Sequence, residues 1–88
     1  MSIIEKKTWP ECFEAILHGE KKFEIRLADF KIQKGDTLLL REWDPKTKEY
    51  TGREIRKIAG FVSNSKDWDT WTQEEINKHG FYVIGFKE

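Results

Sequence analysis

The stretch Gly19-Glu20-Lys21-Lys22-Phe23-Glu24-Ile25-Arg26-Leu27 constrains this chain more than any other. Glycine adopts the left-handed conformation that ends a helix without steric cost, so Gly19 stops whatever helix precedes it. From Lys22 onward, Phe23, Ile25 and Leu27 alternate with Lys22, Glu24 and Arg26, the period of a half-buried strand. Helix must therefore give way to strand within a few residues. On that strand Glu24 and Arg26 share one face, opposite Phe23, Ile25 and Leu27. Lys21 sits where the two elements meet.

The rest of the chain reads outward from this junction. Ile3 to Lys7 fits a short first strand. A helix begins at Thr8 or Trp9: Thr8 with Glu11 fits a capping box, and Pro10 suits a first helical turn. Phe13, Ile16 and Leu17 form its apolar stripe. Lys34-Gly35-Asp36 is a turn that launches a strand over Thr37 to Trp43. Asp44-Pro45-Lys46-Thr47-Lys48, closed by Thr51-Gly52, reads as a long hairpin loop, because proline breaks a ladder. Arg53 to Val62 returns as a strand, with Gly60 marking a bulge. Thr72 and Glu75 fit a second capping box, opening a short helix that Gly80 ends. Phe81 to Phe86, apolar on both faces, predicts a central or closing strand. The predicted order is β-α-β-β-β-α-β, an α+β domain with a strongly curved sheet or barrel and two short helices.

With 88 residues, one domain spanning 1–88 and a single core are expected. Sixteen basic and sixteen acidic residues cancel, which excludes the broad basic field of a tight duplex binder. Cys12 is the one cysteine, so an internal disulfide and a cysteine-based metal site are excluded, as suits a reducing cytoplasm. No signal-peptide core and no membrane-spanning run is visible. No His, Cys and carboxylate spacing suggests a metal, and no cofactor fingerprint is present. His18 and His79 fall in last helical turns, where a positive charge suits the helix dipole.

The spacing Gly19-x-Lys21-x-x-Glu24-x-Arg26 resembles the signature of the ASCH family, a branch of the PUA-like domains. A proline-started helix precedes it and a Lys-Gly-Asp turn follows it, as in that family. Arg41-Glu42-Trp43-Asp44-Pro45 is similar to a segment of a small phage and bacterial group within it. The resemblance covers nearly the whole chain. It implies a small PUA-like β-barrel of about five to six strands, a cleft between the first helix and the barrel, and a role in RNA or nucleotide binding. Some small ASCH proteins hydrolyse the acetyl amide of N4-acetylcytidine with a lysine, a threonine three residues later and a distant glutamate. Here Glu24 stands in the threonine position.

The residues themselves allow three readings. In the first, Lys21, Glu24 and Arg26 converge on RNA, a single-stranded nucleic acid or a nucleoside or nucleotide. Arg26 then offers a planar fork, Lys21 a point charge, and Glu24 an acceptor for an amino group. Arg41 and Trp43 share a strand face and could form a stacking shelf, or an arginine could simply lie over a core tryptophan. Trp9 could roof the cleft, or staple the helix entry against Phe13. Trp68 or Trp71 could pack as a lid over one end. In the second reading the chain is a small amidohydrolase acting on a modified nucleoside such as an acylated cytidine, with Lys21 and Glu24 catalytic. In the third it is a protein-interaction adaptor, which a large exposed apolar patch away from Lys21, Glu24 and Arg26 would favour. The bland alternative for the signature is a set of exposed ion pairs worth about 0–1 kcal/mol each.

Overall fold

A computed structural model of the chain describes residues 1–67, 74, 77 and 80–87. Strand β1 (Ile3–Thr8) leads into helix α1 (Pro10–Leu17), followed by strands β2 (Phe23–Leu27), β3 (Thr37–Asp44) and β4 (Glu49–Asn64). A single 3-10 turn over Ser65–Asp67 and strand β5 (Phe81–Phe86) complete the described elements. The strands form one sheet in the order β1-β3-β4-β5-β2. β1 runs parallel to β3, and the other three ladders are antiparallel.

The inner face of the sheet carries the core. Leu38 and Leu40 of β3, Ala59 of β4 and Ile84 of β5 are buried there against Ile16 of α1 and Ile32. Each of the leucine and isoleucine side chains contributes about 1.5–3 kcal/mol when taken fully out of water. β5 lies between β4 and β2, which explains why its sequence is apolar on both faces. The shift in register between Ala59 and Phe61 is the bulge that Gly60 signalled. A β-carbon at Gly60 would lie 3.0 Å from the Lys87 nitrogen, so the close approach of those two strands requires glycine.

Several expectations are corrected. The hairpin after β3 is short, because β4 begins at Glu49 and takes Thr51 and Gly52 into the strand. The Asp44 carboxylate and carbonyl accept from the Lys46 and Lys48 amides at 2.8 and 2.7 Å, and this turn needs no further residues. The Thr8–Glu11 capping box does not form: Trp9 is the N-cap, without a side-chain cap, and Thr8 ends β1 instead. Pro10 does occupy the first turn, and Gly19 leaves α1 at φ +78°. Leu17 is exposed although Phe13 and Ile16 are buried. The sheet is open, with no backbone ladder joining β1 to β2 among the described residues. The helix expected from Thr72 to about His79, with Glu75, and the loop residues Trp68 and Trp71 ahead of it fall, but for positions 74 and 77, outside the described residues. No helix among the described residues is long and apolar enough to cross a membrane.

The alternation expected over β2 holds, and its ionic side points inward. Glu24 is only 2% exposed, whereas Phe23, Ile25 and Leu27 keep about half of their surface in water. Pairing explains this orientation: Glu24 lies opposite Ile84, the fully buried residue of β5, so its side chain must enter the same interior.

Candidate functional site

The junction after α1 delivers Lys21. The amides of Glu20 and Lys21 both donate to the Ala15 carbonyl, at 2.9 and 3.0 Å, and fold the chain back over the last turn of the helix. This capping uses a carbonyl left without an intrahelical donor and fixes where the Lys21 side chain departs. The Lys21 Nζ donates to Glu24 Oε1 at 2.8 Å. From the other side, Arg26 Nε donates to Glu24 Oε2 at 2.7 Å. One buried carboxylate is thus held between two cations, both of which keep about a fifth to a quarter of their side chains in water.

Arg26 also reaches across to β1. Its Nη2 donates to the Lys7 carbonyl at 2.8 Å and to Thr8 Oγ1 at 3.3 Å. Thr8 is buried, although its sequence role looked like a helix cap. Lys21, Glu24 and Arg26 therefore converge as one group with a net charge of one. It lies at the C-terminal end of α1 and against the residues that enter the helix. Each Glu24 oxygen retains lone-pair capacity, and Lys21 retains donors beyond the one it gives Glu24.

The remaining candidates lie elsewhere. Arg41 and Trp43 do share a face, but it is the outer face of the sheet. Arg41 sits over Tyr50 at 4.0 Å and approaches Glu5 and Glu54 at 3.9 and 3.8 Å, so it does not lie over Trp43. Trp43 instead packs on Trp9, ring centroids 5.1 Å apart, with the Lys7 ammonium 4.4 Å from the Trp43 ring. Trp9 thus joins Trp43 beside the end of β1. The polypeptide at Lys7 and Thr8 separates this aromatic pair from the ionic trio, and contacts both.

A second ionic cluster went unread in the sequence. Glu42 is buried on the inner face and accepts from Arg53 Nε at 2.9 Å and from Thr51 Oγ1 at 2.7 Å. Arg53 Nη2 donates to Glu42 Oε2 at 2.9 Å and to Glu14 of α1 at 2.7 Å, while the guanidinium lies over Phe13. The hydrogen bonds from Arg53 hold the Glu42 and Glu14 carboxyls below their usual range, and the two carboxylates raise Arg53 in turn. This cluster fastens α1 to the sheet. His18 closes the helix with Nε2 at 2.9 Å from Glu14 Oε2. Cys12 is free and exposed.

Residues 3–85 match a family described as a domain of unknown function, DUF3850. The chain belongs to the DUF3850 family. A phage relative, the uncharacterised 12.9 kDa protein in the GpA 3′ region of Escherichia phage P2, is 35% identical over 66 residues. That match covers 75% of this chain and 59% of the relative, so the chain spans less than two thirds of that protein. The DUF3850 match takes in all five strands almost completely, and with them Lys21, Glu24 and Arg26.

Proposed function

We infer that this DUF3850 domain binds RNA, as a single strand or as a nucleoside or nucleotide, at the group formed by Lys21, Glu24 and Arg26. The observation that carries the reading is the clamp on Glu24: two cations are fixed by one buried carboxylate while each stays partly open to water. Such cations are ordered before a ligand arrives, which lowers the entropic cost of engaging phosphate. Glu24 adds acceptor capacity for a base amino group. Trp9, 44% exposed and stacked on Trp43, offers a ring face to a base beyond the end of β1. Arg41 contributes charge further along the same outer face. The zero net charge of the chain favours a short, locally held ligand over a long duplex.

The ASCH resemblance of Gly19-x-Lys21-x-x-Glu24-x-Arg26 supports the same assignment, and with it a PUA-like, barrel-derived architecture. The curvature that brings Arg26 of β2 to Lys7 of β1 is compatible with such a relationship. The amidohydrolase reading has less support: Glu24, to which Lys21 donates at 2.8 Å, stands in the position where the hydrolases of the resembled family carry a threonine.

The test is titration with nucleosides, nucleotides and short single-stranded RNAs at low salt, followed by tryptophan fluorescence. Saturable binding that salt weakens, and that Arg26→Lys reduces, is the expected result. The absence of any response across the set would overturn the assignment. Release of acetate from N4-acetylcytidine, lost in Lys21→Ala, would transfer it to the hydrolytic reading.

A further inference from the structure

The outward side of β2 continues across its neighbours. Register places Phe23 beside Gly85 and Phe61, Ile25 beside Val83 and Ser63, and Leu27 beside Phe81, so these side chains emerge on one face in three rows. Phe23, Ile25, Leu27, Phe61 and Phe81 are each 44–63% exposed. Their inward neighbours, Glu24, Ile84 and Val62, already complete the interior, so nothing in the core draws the outer row inward. Next to Phe61 and Gly85 the face dips into a hollow of about 720 Å³, whose walls include Ile3, Ile58 and Phe86. Lys34 and Lys87 also line this hollow.

We propose that this outer face of β4, β5 and β2 is a self-association surface, covered in solution by the same face of a second copy of the chain. Area is the first argument. With a buried aromatic ring removing about 150–250 Å² from water, the five side chains leave on the order of 500 Å² of apolar surface exposed. That is at the upper end of the about 300–600 Å² that a monomer ordinarily exposes in one patch. It also supplies more than half of the about 800 Å² per partner that a stable interface buries, in the proportion expected of an apolar centre within a polar rim.

Charge is the second argument. The chain carries no net charge, so two copies approach without long-range repulsion. The five patch side chains are uncharged, with Lys34 and Lys87 at the rim of the adjoining hollow, while the rest of the outer face, including the first half of β4, carries Glu5, Lys7, Arg41, Glu54 and Arg56. This division sets the boundary of the contact. Geometry is the third. Arg26 already ties the edge strand β2 to β1, which hinders extension of the sheet through that edge. Face-to-face stacking of two sheets about 10 Å apart remains open, and a two-fold axis makes one patch complementary to itself.

The test is the mass of the chain in solution by light scattering and sedimentation at about 100 μM, ample for micromolar association. The wild-type chain is expected to be a dimer that dissociates on dilution. Ile25→Asp and Phe61→Asp are expected to be monomers with unchanged circular dichroism, since both side chains already meet water in one copy. Glu11→Ala, on the exposed side of α1, should dimerise like wild type. Hydrogen exchange at Phe23–Leu27 and Phe81–Phe86 should slow as concentration rises. A wild-type monomer at all concentrations would overturn the proposal. So would a dimer that survives both aspartate variants, or association that appears only when anionic phospholipid vesicles are added. Concentration-independent protection of the patch in a monomer would assign its cover to the chain itself. Because this face lies on the opposite side of β2 from Glu24 and Arg26, loss of dimerisation and loss of nucleotide binding are separate results.

Discussion

Arg26 of β2 donates to the carbonyl of Lys7 in β1 at 2.8 Å, so one side chain spans the gap between the two edge strands of an open sheet. The same guanidinium holds Glu24, so the seam and the candidate binding group are a single construction.

Removing Arg26 should therefore cost stability as well as ligand affinity. Arg26→Ala leaves the buried Glu24 with Lys21 alone, and loss of a charge-assisted hydrogen bond to a still-partnered carboxylate costs about 1.5–3 kcal/mol. Urea unfolding measures it. A loss below about 1 kcal/mol would mean that the pair behaves like an exposed one.

Arg26→Lys separates the two roles. It keeps the charge but cannot span Glu24 and the Lys7 carbonyl together, since an ammonium lacks the planar fork. Affinity for a single-stranded ligand is expected to fall about tenfold, equivalent to about 1.4 kcal/mol. The wild-type affinity should decline with salt at a log–log slope of about −0.7 for each phosphate engaged. Fluorescence titration over a salt series gives both quantities.

How much of this could be read beforehand depends on the range of the interaction. The helix stop at Gly19, the strand over Phe23 to Leu27 and the shared face of Glu24 and Arg26 are local, and the residues declare them. The side of β2 that turns inward is not local. Period two separates the faces without ranking them, and the choice is made by β5, where Ile84 pairs with Glu24 across sixty positions of sequence. Thr8 illustrates the same limit. Its neighbours offered a helix cap, but the parallel pairing of β1 with β3 keeps it in the strand and Arg26 takes up its hydroxyl. The link from Arg53 to Glu14 joins residues 39 apart and has no sequence signal.

Acid should loosen the attachment of α1. Glu42 and Glu14, both lowered by Arg53, and Asp36, lowered by the amides of Ser2 and Gln33, bind protons less readily folded than unfolded. Their stabilising effect is full above the ordinary carboxylate values of 4.5 and 3.8, and is lost as pH falls through the lower folded values. Arg53, raised by its partners, contributes throughout the range below its ordinary value. Melting temperature measured from about pH 7 to about pH 3 should drop at the acidic end, and Glu42→Gln should flatten that drop.

Gly80→Ala should be strongly unfavourable. The residue sits at φ +66°, and a β-carbon there would fall 2.8 Å from Ser65 Oγ, the atom that accepts from the Phe81 amide. The backbone strain alone costs about 1–2 kcal/mol, and displacement of Ser65 adds to it. Thermal unfolding compared with Gly19→Ala checks the second part, because Gly19 sits at φ +78° with open space where its β-carbon would be.

The indole pair gives the molecule a built-in optical gauge. Rings as close as those of Trp9 and Trp43 couple their electronic transitions, and the tilt of 44° between their planes makes the coupling chiral. Circular dichroism should therefore carry an exciton couplet that either Trp9→Phe or Trp43→Phe abolishes. Since one indole stands at the entry to α1 and the other on β3, the couplet reports directly whether that corner of the molecule is assembled.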